Sequence, residues 1–524
     1  MCREDDTAVV ALADDLSGAA EAAALLRLPA RLVLHVDDLG VSGADREAVV
    51  VDLDSRYLDD EAAADAVRAA VRAVRRSPAA VGARTDTDTA GSRAFRAVNS
   101  RESYGSPLWF KKCDSLLRGP VGAEAAAFAE GAEVLVIATA LPAARRVVRG
   151  GVVLVDGVPL HECAAWRAEE RAAPRSVAGA LAPLPTADVP LGSVRQGPIA
   201  LAGRFRELAA RGRHPVCDAE TDTDLTVIAA AAALLGPGAR LLGSGGLAAA
   251  LGRRLAARRA HGSSAEAGPT AARPRATEPF TTLPTAPPAA ARPTGPTAAA
   301  APGAPSGDAG PASHPSTAGA TPARAVTPSA ATEPAATGAA TPTIPVEASV
   351  RVTVGSAEPA GAEGVARPLL VVAGSAEPVV GEQVARLVAA GARHLPLNPG
   401  ELAGAEGVVL PGLATGTVTV LSVDGSGGVR PGAARAVVAG LARAVSAVPG
   451  RPDLVLTGGE TARRVLDSLG ITTLRPVGEI HHGAVHCRTD DGRSVVTRPG
   501  SFGGPDSFVR IAAALRPSQQ GVTQ

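Results

Sequence analysis

The stretch Trp109–Glu124, WFKKCDSLLRGPVGAE, decides how the rest of the chain is interpreted. It contains the only lysines of the sequence, Lys111 and Lys112, side by side. An apolar strand end leads into charged and hydroxyl side chains, and a helix is expected to begin near Val121. In α/β proteins, ligands bind at such carboxyl ends of strands. The stretch therefore predicts a ligand site, although a solvated charged turn would have a similar composition.

Length and composition narrow the class of protein. A chain of 524 residues is expected to form two or three domains. A formal net charge of zero and an aromatic content of 2% argue against nucleic-acid binding. The five cysteines are scattered without a CxxC pair, which is typical of reduced thiols. The acidic start, MCREDD, predicts that no signal peptide is present, and no apolar run is long enough to cross a bilayer. We therefore expect a cytoplasmic protein without a nucleic-acid or membrane partner.

Short apolar strands alternate with helices through the first 260 residues, which predicts a parallel, doubly wound sheet. Carboxylate-rich turns follow three of these strands, at Asp14-Asp15, at Asp52 and Asp54, and at Asp114. Because the carboxyl ends of parallel strands share one edge of a sheet, we expect these turns to lie together.

The composition changes between residues 261 and 366, where Pro, Ala, Thr, Gly and Ser dominate. This segment has no helical or strand period and is predicted to be a long disordered linker. The pentapeptide GSAEP occurs at 355–359 and again at 374–378, and only the second copy follows a strong strand. The fold class predicted is α/β, with two doubly wound, mostly parallel domains at 1–260 and 367–520.

Glycine-containing turns follow strands of the second domain at Gly374-Ser375, at Gly458–Thr461 and at Gly500–Gly504. Glycine lets the backbone approach an anion, and the helix that follows presents free N–H groups to it. These turns predict a nucleotide cleft, although none matches a Walker A loop or a GxGxxG fingerprint.

The charged candidates allow more than one role. Asp14 and Asp15 are able to bind Mg²⁺, to act as a general base or to cap the helix that follows. Arg56 and Arg118 suit bidentate capture of a carboxylate, or structural ion pairs with the nearby aspartates.

Two other motifs suggest different chemistry. VVVDLDS at 49–55 resembles the nucleophile motif of haloacid-dehalogenase-type phosphatases, but Arg56 stands where Thr or Val is usual. His481, His482, His486 and Cys487 have the chemistry of zinc ligands but lack a fourth partner at suitable spacing. We interpret this second cluster as a solvated loop, and no metal site is assigned.

Together, the motifs resemble those of the four-carbon acid sugar kinase family, in order and in both domains. The N-terminal matches are ADDLSGA at 13–19, DSR at 54–56, KKCDSLLRG at 111–119 and DGVPLHE at 156–162. The C-terminal matches are GS at 374–375, GGET at 458–461, GEI at 478–480 and RPGSFG at 498–503. In the last motif Arg498 and Pro499 replace the usual Lys and Ser.

The resemblance implies an ATP-dependent kinase that phosphorylates the terminal hydroxyl of threonate, erythronate or oxo-tetronate, with ATP and Mg²⁺ as cofactors. It implies catalytic roles for Asp15, Lys112 and Asp114. It implies substrate contacts from Asp14, Arg56, Ser115, Arg118 and Gly119. It implies ATP contacts from Ser375, Gly458, Gly459, Glu460, Thr461, Gly500 and Gly503. A homo-oligomer, an Asp-x-Asp phosphatase and a non-catalytic sensor derived from the kinase stay open.

Overall fold

The computed structural model describes residues 8–40, 47–76, 107–163, 166, 169, 171–266, 367–374, 378–404, 407–425, 434–500 and 502–516. Most of the predicted linker, the first GSAEP copy and Ser375 lie outside these residues. The described residues belong to one compact unit, in which we distinguish an N-terminal half (residues 8–266) and a C-terminal half (residues 367–516). The domain boundaries proposed from the sequence stay a prediction.

Strands and helices alternate along both halves. The strands are β1 (Val9–Ala13), β2 (Ala30–Val33), β3 (Ala48–Asp52), β4 (Leu108–Lys112), β5 (Val134–Ala138), β6 (Arg146–Arg149), β7 (Val152–Val155), β8 (Val158–Pro159), β9 (Thr186–Val189), β10 (His214–Cys217), β11 (Ala239–Gly243), β12 (Leu369–Ala373), β13 (Arg393–Leu397), β14 (Val418–Val423), β15 (Asp453–Thr457), β16 (Thr473–His481), β17 (Ala484–Arg488) and β18 (Ser494–Arg498). The helices are α1 (Leu16–Leu25), α2 (Asp60–Arg76), α3 (Val121–Ala129), α4 (Val177–Ala180), α5 (Leu191–Val194), α6 (Pro198–Ala209), α7 (Asp222–Ala233), α8 (Gly245–Glu266), α9 (Pro378–Ala389), α10 (Pro399–Ala403), α11 (Ala434–Ser446), α12 (Gly459–Ser468) and α13 (Ser507–Leu515).

The α/β class with mostly parallel strands is confirmed. In the N-terminal half the sheet order is β2-β3-β1-β4-β11-β5-β10-β9, and all neighbours are parallel. In the C-terminal half the parallel order β13-β14-β12-β15-β18 ends in the antiparallel strands β17 and β16. Antiparallel pairing of β2 with β16, which places Leu32 opposite Leu474, joins both halves into one 15-stranded sheet.

Helices cover the sheet with apolar faces, as α2 illustrates. The Asp59 side chain accepts a hydrogen bond of 2.8 Å from the Ala62 N–H at the start of this helix, so a carboxylate satisfies an otherwise free donor. Its buried residues Val67, Val71 and Val74 recur at spacings of three and four, which places them on one face. Burying each valine contributes about 1.5–3 kcal/mol.

Hairpins complete the fold. The turn predicted at Asp156-Gly157 joins β7 to β8, and both residues have positive φ (52° and 84°), as a type I′ turn requires. The prediction of a solvated loop around His481 is wrong. β16 and β17 form an antiparallel hairpin there, and Cys487 is buried in it. Within the described ranges, no helix has the length and apolarity that a membrane span needs.

Candidate functional site

The acidic turns of the N-terminal half lie at one edge of the sheet. β1 lies between β3 and β4, and Ala13 at its end pairs with Asp52 on one side and Lys112 on the other. The residues that follow, including Asp14 and Asp114, therefore leave adjacent strands side by side. The helix predicted near Val121 begins at that residue.

Arg56 joins the two aspartates that follow β1. Its Nε donates to Asp14 Oδ2 at 2.8 Å, and its terminal nitrogens donate to the two Asp15 oxygens at 2.8 and 2.9 Å. The Asp15 carboxylate also accepts a 2.9 Å hydrogen bond from the Gly18 N–H and so caps α1. Helix capping and structural ion pairing are thus both realised in this structure.

Asp14 keeps one oxygen free. Burial favours its neutral form, but Arg56, Lys111 and Lys112 outweigh burial and lower the pKa of Asp14. Its Oδ1 is buried and has no hydrogen-bond partner among the described residues. An ionised, unpartnered oxygen in a buried place is a ready acceptor for a ligand hydroxyl.

Both lysines form buried ion pairs. Lys111 Nζ lies 3.1 Å from a Glu124 oxygen, and Lys112 Nζ lies 3.1 Å from a Glu21 oxygen. Burial alone would lower the pKa of Lys112, but Glu21 and the nearby aspartates raise it. Neither glutamate belongs to the site residues predicted from the sequence. The signal was present, because each is the only charged residue in an alanine-rich helix, α1 or α3.

Asp114 is held by its own turn. Arg118 donates to its two oxygens at 2.8 and 3.0 Å, and the Leu116 N–H donates at 3.2 Å. Burial would raise the pKa of Asp114, but Arg118 outweighs burial and lowers it strongly. Gly119 packs against the Arg56 backbone, since a Cβ there would lie 3.0 Å from the Arg56 carbonyl oxygen. Gly119 thus fixes the turn.

Arg146, at the start of β6, was also missed. It donates to Ser115 Oγ, and its guanidinium carbon lies 6.0 Å from the centre of the Phe502 ring. Burial lowers the pKa of Arg146, and Asp114 opposes that effect. A single arginine therefore donates to a predicted substrate residue and lies within cation–π distance of Phe502 in the last glycine turn of the chain.

The glycine turns of the C-terminal half follow adjacent strands. β12, β15 and β18 are parallel neighbours, and Gly374, Gly458 and Gly500 come directly after or shortly after them. Gly458, with φ of 86°, precedes α12, whose N-terminus has no side-chain cap. Its first N–H groups thus lack a side-chain acceptor, which suits an anion. Ser375 lies outside the described residues.

Two buried side chains hold the last turn from inside. Gln383 Nε2 donates to the carbonyl oxygens of Gly503 and Gly504 at 3.0 and 3.1 Å. Arg498 donates to Gln383 Oε1 at 2.6 Å and to the Phe502 carbonyl. Burial lowers the pKa of Arg498 to about 10. The Phe502 N–H donates to the Pro499 carbonyl, and among the described residues of the turn the N–H groups of Gly500 and Gly503 are left for a ligand.

The two sets of turns contact each other. A Cβ added to Gly459 would lie 2.2 Å from Asp15 Oδ2, so only glycine permits this approach. The N-terminus of α12 therefore lies directly against the carboxylate cluster that follows β1. Thr461, in the same turn, is buried, and Glu460 makes no ion pair within the described ranges.

The Asp-x-Asp motif lies at the contact between the halves. Arg463 of α12 forms a 2.9 Å ion pair with Asp52, whose side chain is 0% exposed, and Arg464 pairs with Asp54. Burial raises the pKa of Asp52 to about 7 despite the attraction of Arg463. A fully buried, paired Asp52 is poorly suited to act as a phosphatase nucleophile.

Comparison with known proteins places this geometry in a family. Residues 9–251 match the model of a sugar-binding N-terminal domain, and residues 370–508 match that of a nucleotide-binding C-terminal domain. A D-threonate kinase of Cupriavidus necator is 34% identical over 246 residues, 46% of this chain and 52% of the relative. A D-threonate kinase of Salmonella typhimurium is 36% identical over 177 residues, 31% of this chain and 40% of the relative. The alignments thus span about half the relatives' length or less.

Solved structures share the fold. A Salmonella typhimurium LT2 protein superposes with a TM-score of 0.61 at 18% identity, covering 98% of this chain and 99% of its own. Haemophilus influenzae protein HI1011 superposes with a TM-score of 0.56 at 17% identity, covering 97% and 99%. Since the two domain models match successive parts of the chain in the order that its motifs predict, the chain belongs to the four-carbon acid sugar kinase family.

Proposed function

We propose that this chain is an ATP-dependent kinase that phosphorylates a hydroxyl of a four-carbon sugar acid. The contact between Gly459 and Asp15 carries the proposal, because it brings a glycine turn at a helix N-terminus against a cluster of carboxylates and cations. Transfer between a nucleotide and a hydroxyl needs such an approach of an anion-binding turn to an acceptor site.

ATP would be held by the C-terminal half. Its phosphates fit the uncapped N–H groups at the start of α12, from Gly459 onward, together with Gly500 and Gly503. Gly458 stays a predicted contact, although its own N–H donates to the Arg498 carbonyl at 2.9 Å. Ser375 and Thr461 stay predicted contacts. Mg²⁺ commonly binds substrate phosphates with one or two carboxylates, and Glu460 beside the glycines fits that role. When bound, the ion would offset phosphate charge. Within the described ranges, no cluster of three or more His, Cys, Asp or Glu could hold a metal by itself.

The sugar acid would be held by the N-terminal half. The family resemblance implies catalytic roles for Asp15 and Asp114, yet the oxygens of both already accept hydrogen bonds from Arg56 or Arg118. The unpartnered Oδ1 of Asp14 is better suited to orient the attacking hydroxyl and accept its proton. Lys112 would stabilise negative charge on the transferring phosphoryl group.

An ADP-release assay over D-threonate, L-threonate, D-erythronate and oxo-tetronate tests the proposal. We expect ATP-dependent turnover with at least one acid and its loss in Asp14→Asn. Absence of ADP with every acid would refute the kinase. Ligand-induced stabilisation without turnover would favour a sensor, and phosphate release from a phosphorylated acid without ATP would favour a phosphatase.

A further inference from the structure

Arg146 differs from the other cations of the site. Lys111, Lys112, Arg56 and Arg118 each have a carboxylate oxygen within 3.1 Å. Among the described residues, no carboxylate forms an ion pair with Arg146. Its recorded partners are a hydroxyl and an aromatic ring.

The surroundings of Arg146 are those of an anion site. The side chain is partly buried, and an arginine stays charged at any physiological pH. Asp114 attracts the guanidinium without forming an ion pair with it, so an anionic ligand beside Arg146 gains more than it would beside a cation that is already paired. The guanidinium also presents several N–H donors in one plane, which matches the two oxygens of a carboxylate.

We propose that Arg146 binds the carboxylate of the sugar acid and so determines its preference for acids over neutral sugars. The sequence predicted Arg56 or Arg118 for carboxylate capture, but both are already paired with Asp14, Asp15 and Asp114. Ser115 orients the guanidinium through its hydroxyl. The inference rests on the proposed function, because that function supplies the acid.

Packing on Phe502 adds a second consequence. Phe502 belongs to the last glycine turn, so the residue that binds the acid also touches the nucleotide side of the cleft. Among the described residues the guanidinium donates only to Ser115, so its remaining N–H groups are left for hydrogen bonds to a ligand. Arg146 thus acts at the junction of both ligands.

Arg146→Gln, with Arg145→Gln as its matched control, tests the inference. Arg145 is the preceding residue, is 80% exposed and pairs with Asp156. Affinity for D-threonate and for the neutral polyol threitol is measured by calorimetry, together with KM and kcat. Losing hydrogen bonds to a charged group should weaken D-threonate binding roughly 10- to 150-fold in Arg146→Gln. The affinity of Arg146→Gln for threitol should change less than about twofold. The affinity of Arg145→Gln for either ligand should likewise change less than about twofold.

The outcomes separate the two proposals. If wild type turns over D-threonate and Arg146→Gln keeps the acid preference, the assignment of Arg146 is wrong and the kinase stands. If wild type binds the acid without turnover, the calorimetric comparison still tests Arg146 while the kinase fails. If Arg146→Gln unfolds at a lower temperature than wild type, Arg146→Lys is measured in its place. This variant keeps the positive charge but loses the paired N–H donors of arginine. We expect an intermediate loss of acid affinity there, and unchanged affinity would also refute the assignment.

Discussion

Removal of the Lys112 charge has a cost that the structure lets us estimate. The side chain lies 3.1 Å from Glu21, and the two are only 6% and 10% exposed. At an effective dielectric constant of about 20, their direct attraction is about 5 kcal/mol. Lys112→Met leaves Glu21 buried without this counter-ion, so we expect the free energy of unfolding to fall by about 3–5 kcal/mol.

A second substitution separates folding from catalysis. Lys112→Met combined with Glu21→Gln removes both charges, and stability should return to within about 1–2 kcal/mol of wild type. Turnover should stay low, by about 10²- to 10³-fold, because the positive charge beside the phosphoryl group is still missing. The pKa of Lys112 is raised, so its stabilising charge is fully present below about pH 10 and is lost only above that.

The neighbouring ion pair provides the matched control. Lys111 and Glu124 are also 3.1 Å apart and are 0% and 2% exposed. Lys111→Met should destabilise the protein at least as strongly, whereas Lys111→Met with Glu124→Gln should recover both stability and most turnover. In the proposed chemistry Lys111 contacts neither the sugar acid nor the transferring phosphoryl group.

Urea unfolding and steady-state kinetics at pH 7–8 measure both effects. Recovery of turnover in the Lys112→Met/Glu21→Gln variant would show that Lys112 is structural. A Lys112→Met protein as stable as wild type would refute the ion-pair argument itself.

Three further changes test other contacts. The pKa of Asp52 is about 7 in the folded protein against an ordinary 3.8, so the native state holds the extra proton and stability should fall as pH rises from about 4 to 7. The free energy of unfolding should fall by roughly 4 kcal/mol at most. In urea unfolding, Asp52→Asn should lose this pH dependence. An unchanged pH dependence in the variant would contradict the assignment to Asp52. Gln383→Leu should weaken nucleotide binding about tenfold or more in calorimetry, since carbonyls of the last turn lose their donor; equal affinity would show that the turn holds itself. Gly459→Ala forces Asp15 away and should lower kcat about 10²-fold. Gly381→Ala, with open space around its added Cβ, should leave kcat unchanged. Similar kinetics of the two variants would show that the contact between Gly459 and Asp15 does not matter for catalysis.

Local sequence pattern predicted most of the parallel sheet. Buried parallel strands read as continuous apolar runs, and VVALA, AVVVD and VLVIA are fully buried as β1, β3 and β5. The β16–β17 hairpin was hidden because histidines and charges interrupt its apolar alternation. Pairing of β2 with β16 joins residues more than 400 positions apart, which no local pattern specifies.

The residues of the candidate site also fall into those that the sequence predicts and those that it does not. Turn residues such as Asp14 and Asp114 were predictable, because each follows an apolar strand within a short motif. Glu21, Arg146 and Gln383 have partners on other elements, and only Glu21 is the single charged residue of its helix, since Arg146 follows Arg145 and Gln383 follows Glu382. Their role depends on which helix packs over which strand end, and that information is tertiary. Isolated polar residues in apolar segments are the best sequence signal for such partners.

The continuous sheet also offers an intrinsic optical reporter. Trp109 lies in β4, and Trp166 donates to the Leu116 carbonyl, so both tryptophans of the chain belong to the N-terminal half. A ligand that binds only the folded unit raises its unfolding free energy by an amount set by concentration and affinity. Pairing of β2 with β16 joins the halves into one unit. Nucleotide bound near α12 should therefore raise the midpoint temperature of unfolding that is followed by tryptophan emission. Ligands of either half are thus detectable without a label.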